Sequence, residues 1–152
     1  MTDIIITKAK DSDTAGILAV QKAAFSRYPN HVDPQIETEE KLRADMSSGC
    51  VLVATLNGQI VGSVRGTLAD GRGRISRLSV HPNCQRCGYA RRLMIAIESA
   101  LCTASMFELY TGVDNSESLA LYARCGYEVV ATTLAPNGNK LFRLIKAMHQ
   151  RQ

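Results

Sequence analysis

The 152-residue sequence lacks any apolar run close to the roughly 20 residues that a membrane-spanning helix needs. Residues 1–6 lack the basic start and the long apolar stretch of a secretory signal, so we expect a cytoplasmic protein. The five cysteines are an odd number at scattered positions, which is poor material for a disulfide framework and favours reduced thiols. Internal repeats, low-complexity tracts and linkers are also lacking. The sequence therefore predicts a single domain over residues 1–152.

Composition and charge exclude several other classes of protein. With 45% hydrophobic and 21% charged residues, the chain is typical of a globular domain rather than of a disordered or collagen-like one. Eighteen basic side chains against fourteen acidic ones give a net charge of +4. A nucleic-acid-binding domain of this size usually carries a stronger basic stripe, so that function is the weakest hypothesis. The surplus instead suggests attraction to an anionic ligand.

Hydrophobic periodicity and turn residues predict a mixed α/β fold. Asn57-Gly58 is a tight-turn dipeptide between two β-branched runs and predicts a β-hairpin. Apolar residues at helical spacing from Ala90 to Leu101 predict an amphipathic helix. The predicted order is a strand (2–8), two helices (to about 25, and 37 to about 49), three meander strands (51–54, 60–64, 74–80), a helix (90–101), a strand (107–111), a helix (116–125) and two strands (127–132, 140–148).

The segment from Val80 to Arg92 predicts a phosphate-binding site. A strand there enters a short loop that leads into a helix, and the first-turn amides of a helix have no intrahelical acceptor. Those N–H groups and the positive end of the helix dipole form a seat for a phosphate or pyrophosphate. Gly88 lets a ligand approach the backbone, and three nearby arginines add positive charge: Arg86, Arg91 and Arg92.

Two stretches of the chain resemble the signatures of the GCN5-related N-acetyltransferase (GNAT) family. Gln85, Gly88 and Ala90 match the pattern [Gln/Arg]-x-x-Gly-x-[Gly/Ala], which in that family receives the pyrophosphate of acetyl-coenzyme A. The segment from Asn115 to Tyr127 resembles the second signature, Asn-x-x-Ala-x-x-x-Tyr-x-x-x-Gly-[Phe/Tyr], with Ser118 in place of the alanine. On a helix, Asn115, Ser118 and Tyr122 would share one face.

The resemblance implies a GNAT-like fold and an N-acetyltransferase. The fold would be a twisted mixed sheet of about six to seven strands with about four helices, splayed at its centre. Acetyl-coenzyme A, as co-substrate, would lie between the strand ending at Val80 and the strand beginning near Phe107. The resemblance makes Tyr122 the general acid that protonates the departing thiolate. It assigns cofactor contacts to Leu78, Ser79, Val80, Gln85, Arg86, Cys87, Gly88, Tyr89, Ala90, Arg91, Asn115 and Ser118.

The general base and the acceptor are not assigned by the sequence. Many relatives carry a carboxylate on the strand before the loop, but residues 74–77 contain none. A water chain, Glu108, Asp33 and Glu37 stay open as alternatives. The acceptor pocket would involve the first two helices, the loop at residues 28–34 and the turn at residues 135–139. We expect Arg65 and Arg77 to be solvated rather than to bind an acidic acceptor.

The pair Cys84-x-x-Cys87 does not predict a metal site. It supplies two ligands, whereas a structural zinc site requires four, and no second pair or histidine cluster follows. His31 and His149 are expected at the surface. Oxidation of the two cysteines stays open if they are exposed.

Two functional hypotheses follow from these patterns. The first is an acetyl-coenzyme A-dependent N-acetyltransferase that acts on a primary amine of a small molecule or of a protein or peptide. The second is a non-catalytic acyl-coenzyme A sensor or interaction module, which the missing carboxylate motivates. A homodimer is compatible with either hypothesis, because nothing in the sequence sets the subunit count.

Overall fold

The computed structural model describes residues 3–25 and 38–148. In these residues, four α-helices and seven strands follow one another in the predicted order. The helices are α1 (Thr14–Phe25), α2 (Glu39–Ser48), α3 (Tyr89–Ala100) and α4 (Ser116–Arg124), and the strands are β1 (Ile5–Lys8), β2 (Cys50–Leu56), β3 (Gln59–Ala69), β4 (Arg72–Val80), β5 (Met106–Gly112), β6 (Glu128–Leu134) and β7 (Lys140–Ala147). The predictions for His31, Asp33, Glu37, His149 and the loop at residues 28–34 lie outside the described residues.

The seven strands form one mixed sheet in the order β1-β2-β3-β4-β5-β7-β6. All neighbouring strands are antiparallel except β4 and β5, which are parallel. The parallel pair follows from the connection between them, because α3 carries the chain back across the sheet before β5 begins. This architecture confirms the predicted mixed α/β fold.

Alternating side chains on β2 show that helices cover both faces of the sheet. Val51 and Val53 pack with Ile17 of α1 and Leu42 of α2. The intervening residues of β2 instead belong to the main core with Leu93, Met94 and Ile97 of α3. Successive side chains of a strand point to opposite faces, so α1 and α2 lie on one face and α3 on the other. The apolar stripe predicted for α3 is therefore the stripe that packs on the sheet.

The sheet opens between β4 and β5. These strands pair at three positions, where residues 72–74 oppose residues 106–108. Further along β4, Ser79 opposes Ser63 but Ser76 opposes Arg65, so β4 has one extra residue opposite β3. Arg77 lies at this β-bulge with a left-handed φ of 54°. A bulge bends its strand and increases its twist, so the backbone of residues 78–80 faces a cleft on the β5 side.

Arg65 corrects an expectation drawn from the sequence. The side chain is 3% exposed rather than solvated. Its Nη2 donates to Oε1 of Gln21 on α1 at 2.7 Å, and its Nη1 donates to Oδ2 of Asp45 on α2 at 2.9 Å. The prediction was wrong because two helices distant in sequence fold over β3 and supply these acceptors. Arg77 is partly buried at the bulge.

Within residues 3–25 and 38–148, every helix is too short or too polar to span a membrane.

Candidate functional site

A cleft of about 850 Å³ lies at the end of β4. It is bounded by the end of α1, the last residues of β4, the loop that follows, the first turn of α3, and Asn115 with most of α4. The structure brings nearly all of the sequence-predicted site residues to this cleft. Those that line it are Leu78, Ser79, Val80, Gln85, Arg86, Gly88, Tyr89, Ala90, Arg91, Asn115, Ser118 and Tyr122.

Two predicted residues lie elsewhere. Cys87 is exposed, is not part of the lining, and its Sγ lies 3.7 Å from the carbonyl oxygen of Gln85. Arg92 was expected to add charge at the cleft opening, but its guanidinium donates to Oδ1 of Asp3 at 2.6 Å. Because Arg92 and Asp3 are distant in sequence, this ion pair could not be predicted from the cluster of arginines alone. The local positive charge of the cleft loop therefore comes from Arg86 and Arg91.

The loop before α3 is shaped by two residues in the left-handed region. Arg86 has a φ of 66° and Gly88 a φ of 79°. Upstream, Nε2 of Gln85 donates to the carbonyl oxygen of Val80 at 3.3 Å and ties the loop to β4. Gly88 is the N-cap residue of α3 and no side chain caps the helix. The first-turn amides of this twelve-residue helix consequently lie at the cleft without a side-chain acceptor.

Asn115 has a structural role that the sequence analysis missed. It is the N-cap of α4, and its Oδ1 accepts a hydrogen bond from the backbone N–H of Ser118 at 3.1 Å. Asparagine at this position is a standard capping signal, so the sequence did carry the information. The cap sets where α4 begins and hence which of its residues face the cleft.

Tyr122 is buried on the cleft-facing side of α4. Burial, and to a smaller extent the charge of Cys125, raises the pKa of its hydroxyl far above the ordinary value, so the group stays protonated. Its ring packs edge-on against that of Tyr127, with 6.1 Å between centroids. Tyr127 is itself held by Glu98, whose Oε2 accepts from its hydroxyl at 2.8 Å. The site thus contains a buried tyrosine hydroxyl that stays protonated.

A pair of serine hydroxyls lies buried beside the cleft. Ser63 and Ser79 are opposite each other on β3 and β4, and Ser79 lines the cleft. The Oγ atoms of both are buried with no hydrogen-bond partner within the part of the chain that the structure describes. Buried polar atoms normally have a partner, which can be an ordered water or a ligand. This cleft wall can therefore hold a polar group.

Residues 17–127 match the sequence profile described as Acetyltransferase (GNAT) family. The chain belongs to the GNAT acetyltransferase family. A curated acetyltransferase from Pectobacterium atrosepticum is 35% identical over 100 residues, covering 64% of this chain and 70% of the relative. Both signatures noted in the sequence fall inside the matched range. Six residues that match the two signatures line the cleft, and these are Gln85, Gly88, Ala90, Asn115, Ser118 (at the alanine position) and Tyr122.

Solved GNAT structures share the fold of this chain at low identity. The ribosomal-protein alanine N-acetyltransferase of Escherichia coli superposes with a TM-score of 0.82 at 15% identity, covering 99% of this chain and 97% of that one. The paiA N-acetyltransferase of Thermoplasma acidophilum, in complex with coenzyme A, gives 0.82 at 16% identity, covering 96% and 99%. At such identities the likeness concerns the fold, and it confirms the predicted GNAT-like sheet.

Outside the cleft, a second cluster of charged residues surrounds Glu108 on β5. Its Oε1 accepts from Nε and Nη2 of Arg74 on β4 at 3.0 and 2.9 Å. Its Oε2 accepts from Nε and Nη2 of Arg143 on β7 at 3.2 and 2.8 Å. Burial opposes ionisation of this carboxyl and is the largest single influence, but the hydrogen bonds and charges of the two arginines outweigh it and lower its pKa. Glu108 therefore connects three strands as a carboxylate.

The ionised Glu108 should make stability depend on acid pH. Because its pKa is lowered on folding from an ordinary value of 4.5, its contribution to the free energy of unfolding is complete above that value. The contribution is lost as the pH falls through the lowered pKa. Urea unfolding of the protein and of Glu108→Gln between pH 7 and pH 3 should show a stability difference that shrinks below about pH 4.5. A difference independent of pH would contradict this account.

Metal binding has no candidate site in residues 3–25 and 38–148, where no group of three or more His, Cys, Asp or Glu side chains is arranged to hold an ion.

Proposed function

We propose that this GNAT protein transfers the acetyl group of acetyl-coenzyme A to a primary amine of a small molecule or of a protein or peptide. One observation carries the proposal: a single cleft joins the left-handed loop at the start of α3 to the protonated hydroxyl of Tyr122. The loop can bind an anionic cofactor, and the hydroxyl can donate a proton to a thiolate leaving group. Both features line one cavity of about 850 Å³, which a long cofactor can occupy.

The loop fits a pyrophosphate. The first-turn amides of α3 and the positive end of its dipole favour an anion, and Arg86 and Arg91 add two cationic side chains to the same wall. Gly88 offers space as well, since a Cβ built there meets nothing within 4 Å. A pyrophosphate at this position would accept backbone N–H groups and neutralise the surplus charge of the loop.

The part of β4 that does not pair with β5 fits the extended pantetheine arm. Residues 78–80 line the cleft, and β5 pairs with β4 at residues 72–74 instead. Apart from the Val80 carbonyl oxygen, which accepts from Gln85, backbone groups of residues 78–80 on the β5 side can bond a ligand that lies along the strand. An N–H group there can also polarise the thioester carbonyl, which is an oxyanion-type stabilisation. Asn115 and Ser118 face the same part of the cleft from α4.

In the proposed reaction, the amine attacks the thioester carbonyl directly while both substrates are bound. A C–N bond forms, the C–S bond breaks, and the amine loses one proton to a base. The Tyr122 hydroxyl donates a proton to the departing thiolate, as a general acid. Binding both reactants in adjacent positions supplies much of the rate enhancement, because the attack no longer requires a chance encounter.

Glu108 does not suit the role of general base. Both of its carboxylate oxygens accept from arginines, and its lowered pKa makes it a weak proton acceptor. The proposal therefore assigns the amine proton to a water chain, for which the buried hydroxyls of Ser63 and Ser79 offer polar partners. Asp33 and Glu37, the other acidic alternatives, lie outside the described residues.

Calorimetric titration with acetyl-coenzyme A, followed by a thiol-release assay with a panel of primary amines, tests the proposal. We expect binding and amine-dependent release of coenzyme A. Absence of binding at hundreds of micromolar would contradict the proposal. Binding without thiol release for any amine would favour the alternative of a non-catalytic acyl-coenzyme A sensor, which the lack of a free carboxylate near residues 74–77 supports.

A further inference from the structure

The cluster around Glu108 is a preorganised anion-binding surface rather than a closed set of ion pairs. Arg74 and Arg143 use Nε and Nη2 to hold the carboxylate of Glu108. A guanidinium has five N–H donors. Arg143 also makes a side-chain hydrogen bond with Tyr110, and each arginine keeps N–H groups beyond these for a further acceptor. The Glu108 side chain is 2% exposed, while those of Arg74 and Arg143 are 61% and 26% exposed. The carboxylate therefore lies beneath two cations that face outward.

The positive charge of this cluster exceeds its negative charge. Nη1 of Arg72 also lies 3.9 Å from Oε2 of Glu108, so three guanidiniums surround one carboxylate. Glu128, on the same face of the sheet, is exposed on β6 and lies two strands away. A surplus of guanidinium groups held in fixed orientations favours planar anions, because the fork geometry matches a carboxylate.

The cluster is connected to the cleft through β4, whose last residues line it. Arg74 precedes the cleft-lining Leu78 by four residues on β4, but the bulge takes up one of them, so the distance along the strand is about 10 Å. Its guanidinium extends diagonally over the ring of Tyr110, with 5.8 Å between Cζ and the ring centroid. Because Tyr110 follows Glu108 on a strand parallel to β4, this direction is towards the cleft. The guanidinium therefore lies within about 10 Å of Leu78, measured along the strand direction.

We propose that the acceptor amine carries an anionic group, a carboxylate or another anion of similar size, which Arg74 and Arg143 bind while the amine reaches the thioester. The inference rests on the proposed N-acetyl transfer and specifies its acceptor. Arg74 and Arg143 act as specificity-determining residues, and Glu108 positions them. The amine and the anion of the acceptor would be about 10 Å apart in the bound state.

Matched acceptors test this assignment in the full-length protein. The probes are ω-amino carboxylates whose chains span about 5 to about 12 Å, which brackets the separation inferred from the strand geometry. Each is compared with a diamine and with a neutral amino amide of the same length. We expect the carboxylates to have the lowest KM. Arg74→Gln and Arg143→Gln should each raise that KM about tenfold or more, as loss of a charge-assisted hydrogen bond does, without changing kcat or the KM for acetyl-coenzyme A.

If the cluster had only a structural role, Arg74→Gln would raise the KM for the neutral amides as well as the KM for the carboxylates. If the cluster binds the anion, the KM for the neutral amides should not change. Arg74→Lys keeps the charge but not the fork, and should recover part of the carboxylate preference. Arg43→Gln is the matched control, since Arg43 is also half-exposed and ion-paired, but its partners are Asp11 and Glu39 rather than Glu108. Thermal unfolding of each variant separates folding defects from binding defects.

The outcomes distinguish this inference from the proposed function. Equal or better use of diamines or amides by the unmodified protein would overturn the anionic acceptor and leave the acetyltransferase intact. A rise of KM in Arg74→Gln that is the same for carboxylates and amides would also overturn it. Binding of acetyl-coenzyme A with transfer to none of the panel would do so too, because the panel spans the inferred separation. Failure to bind acetyl-coenzyme A would contradict the proposed function itself.

Discussion

Replacing Tyr122 by phenylalanine is expected to lower kcat by about 10²- to 10⁴-fold, the range typical of losing a general acid. The ring stays in place, so its edge contact with Tyr127 and the packing of α4 are retained. The hydroxyl is the group whose pKa burial raises, and its loss removes the proton donor from the cleft. Steady-state kinetics should show an unchanged KM for acetyl-coenzyme A, since the interaction is made with the departing thiolate.

Tyr127→Phe is the matched control for this substitution. It deletes a hydroxyl from the neighbouring ring, where the group donates to Glu98 and does not line the cleft. We expect a loss of stability of about 1 to 3 kcal/mol, because the partner carboxylate is left with one fewer donor, and a small change in kcat. Full activity of Tyr122→Phe, or equal losses of kcat in both variants, would remove Tyr122 from the proposed mechanism.

Substituting valine for Gly88 is expected to weaken acetyl-coenzyme A binding by about 100-fold. The residue has a φ of 79°, where a β-branched side chain is strained, so the loop must change its conformation or bear the strain. Either response moves the first-turn amides of α3 away from the anion, and binding weakens by about 1.5 to 3 kcal/mol for each charge-assisted hydrogen bond that is broken. Calorimetry with acetyl-coenzyme A measures the effect directly.

Gly58→Val separates strain from binding in this experiment. Gly58 has a φ of 80° in the hairpin between β2 and β3, and a Cβ there also meets nothing within 4 Å. The two glycines thus share backbone conformation and open surroundings but differ in their place in the fold. Both valine variants should lose about 1 to 2 kcal/mol of stability, and Gly88→Val alone should lose affinity. Similar affinities in the two variants would show that the loop does not bind the cofactor.

The features predicted correctly from the sequence depend on local signals. The hairpin follows from Asn57-Gly58, whose residues adopt the left-handed conformation that this dipeptide favours. The buried face of α3 follows from apolar spacing, and Leu93, Met94 and Ile97 are fully buried as that spacing requires. The cleft lining follows from two signatures that each lie within one short segment of chain.

The features that escaped prediction depend on contacts between distant segments. The bulge at Arg77 places an arginine in the left-handed region, and no turn residue marks it in the sequence. Arg65 is buried because α1 and α2, which are distant from it in sequence, cover it and supply Gln21 and Asp45 as hydrogen-bond acceptors. The partners of Glu108 come from β4 and β7, which flank β5 only in the final strand order. Such neighbours are set by topology, which a single sequence without an alignment does not reveal.

β4 and β5 pair at three positions, so the sheet consists of two units that are joined by this short pairing. β1 to β4 form one antiparallel unit, and β5, β7 and β6 form another. One hydrophobic core spans both units, since Phe107, Leu109 and Leu144 pack in the same cluster as Leu93, Met94 and Ile97 of α3. The cohesion of the two units therefore depends more on side chains packed against α3 than on backbone hydrogen bonds between β4 and β5.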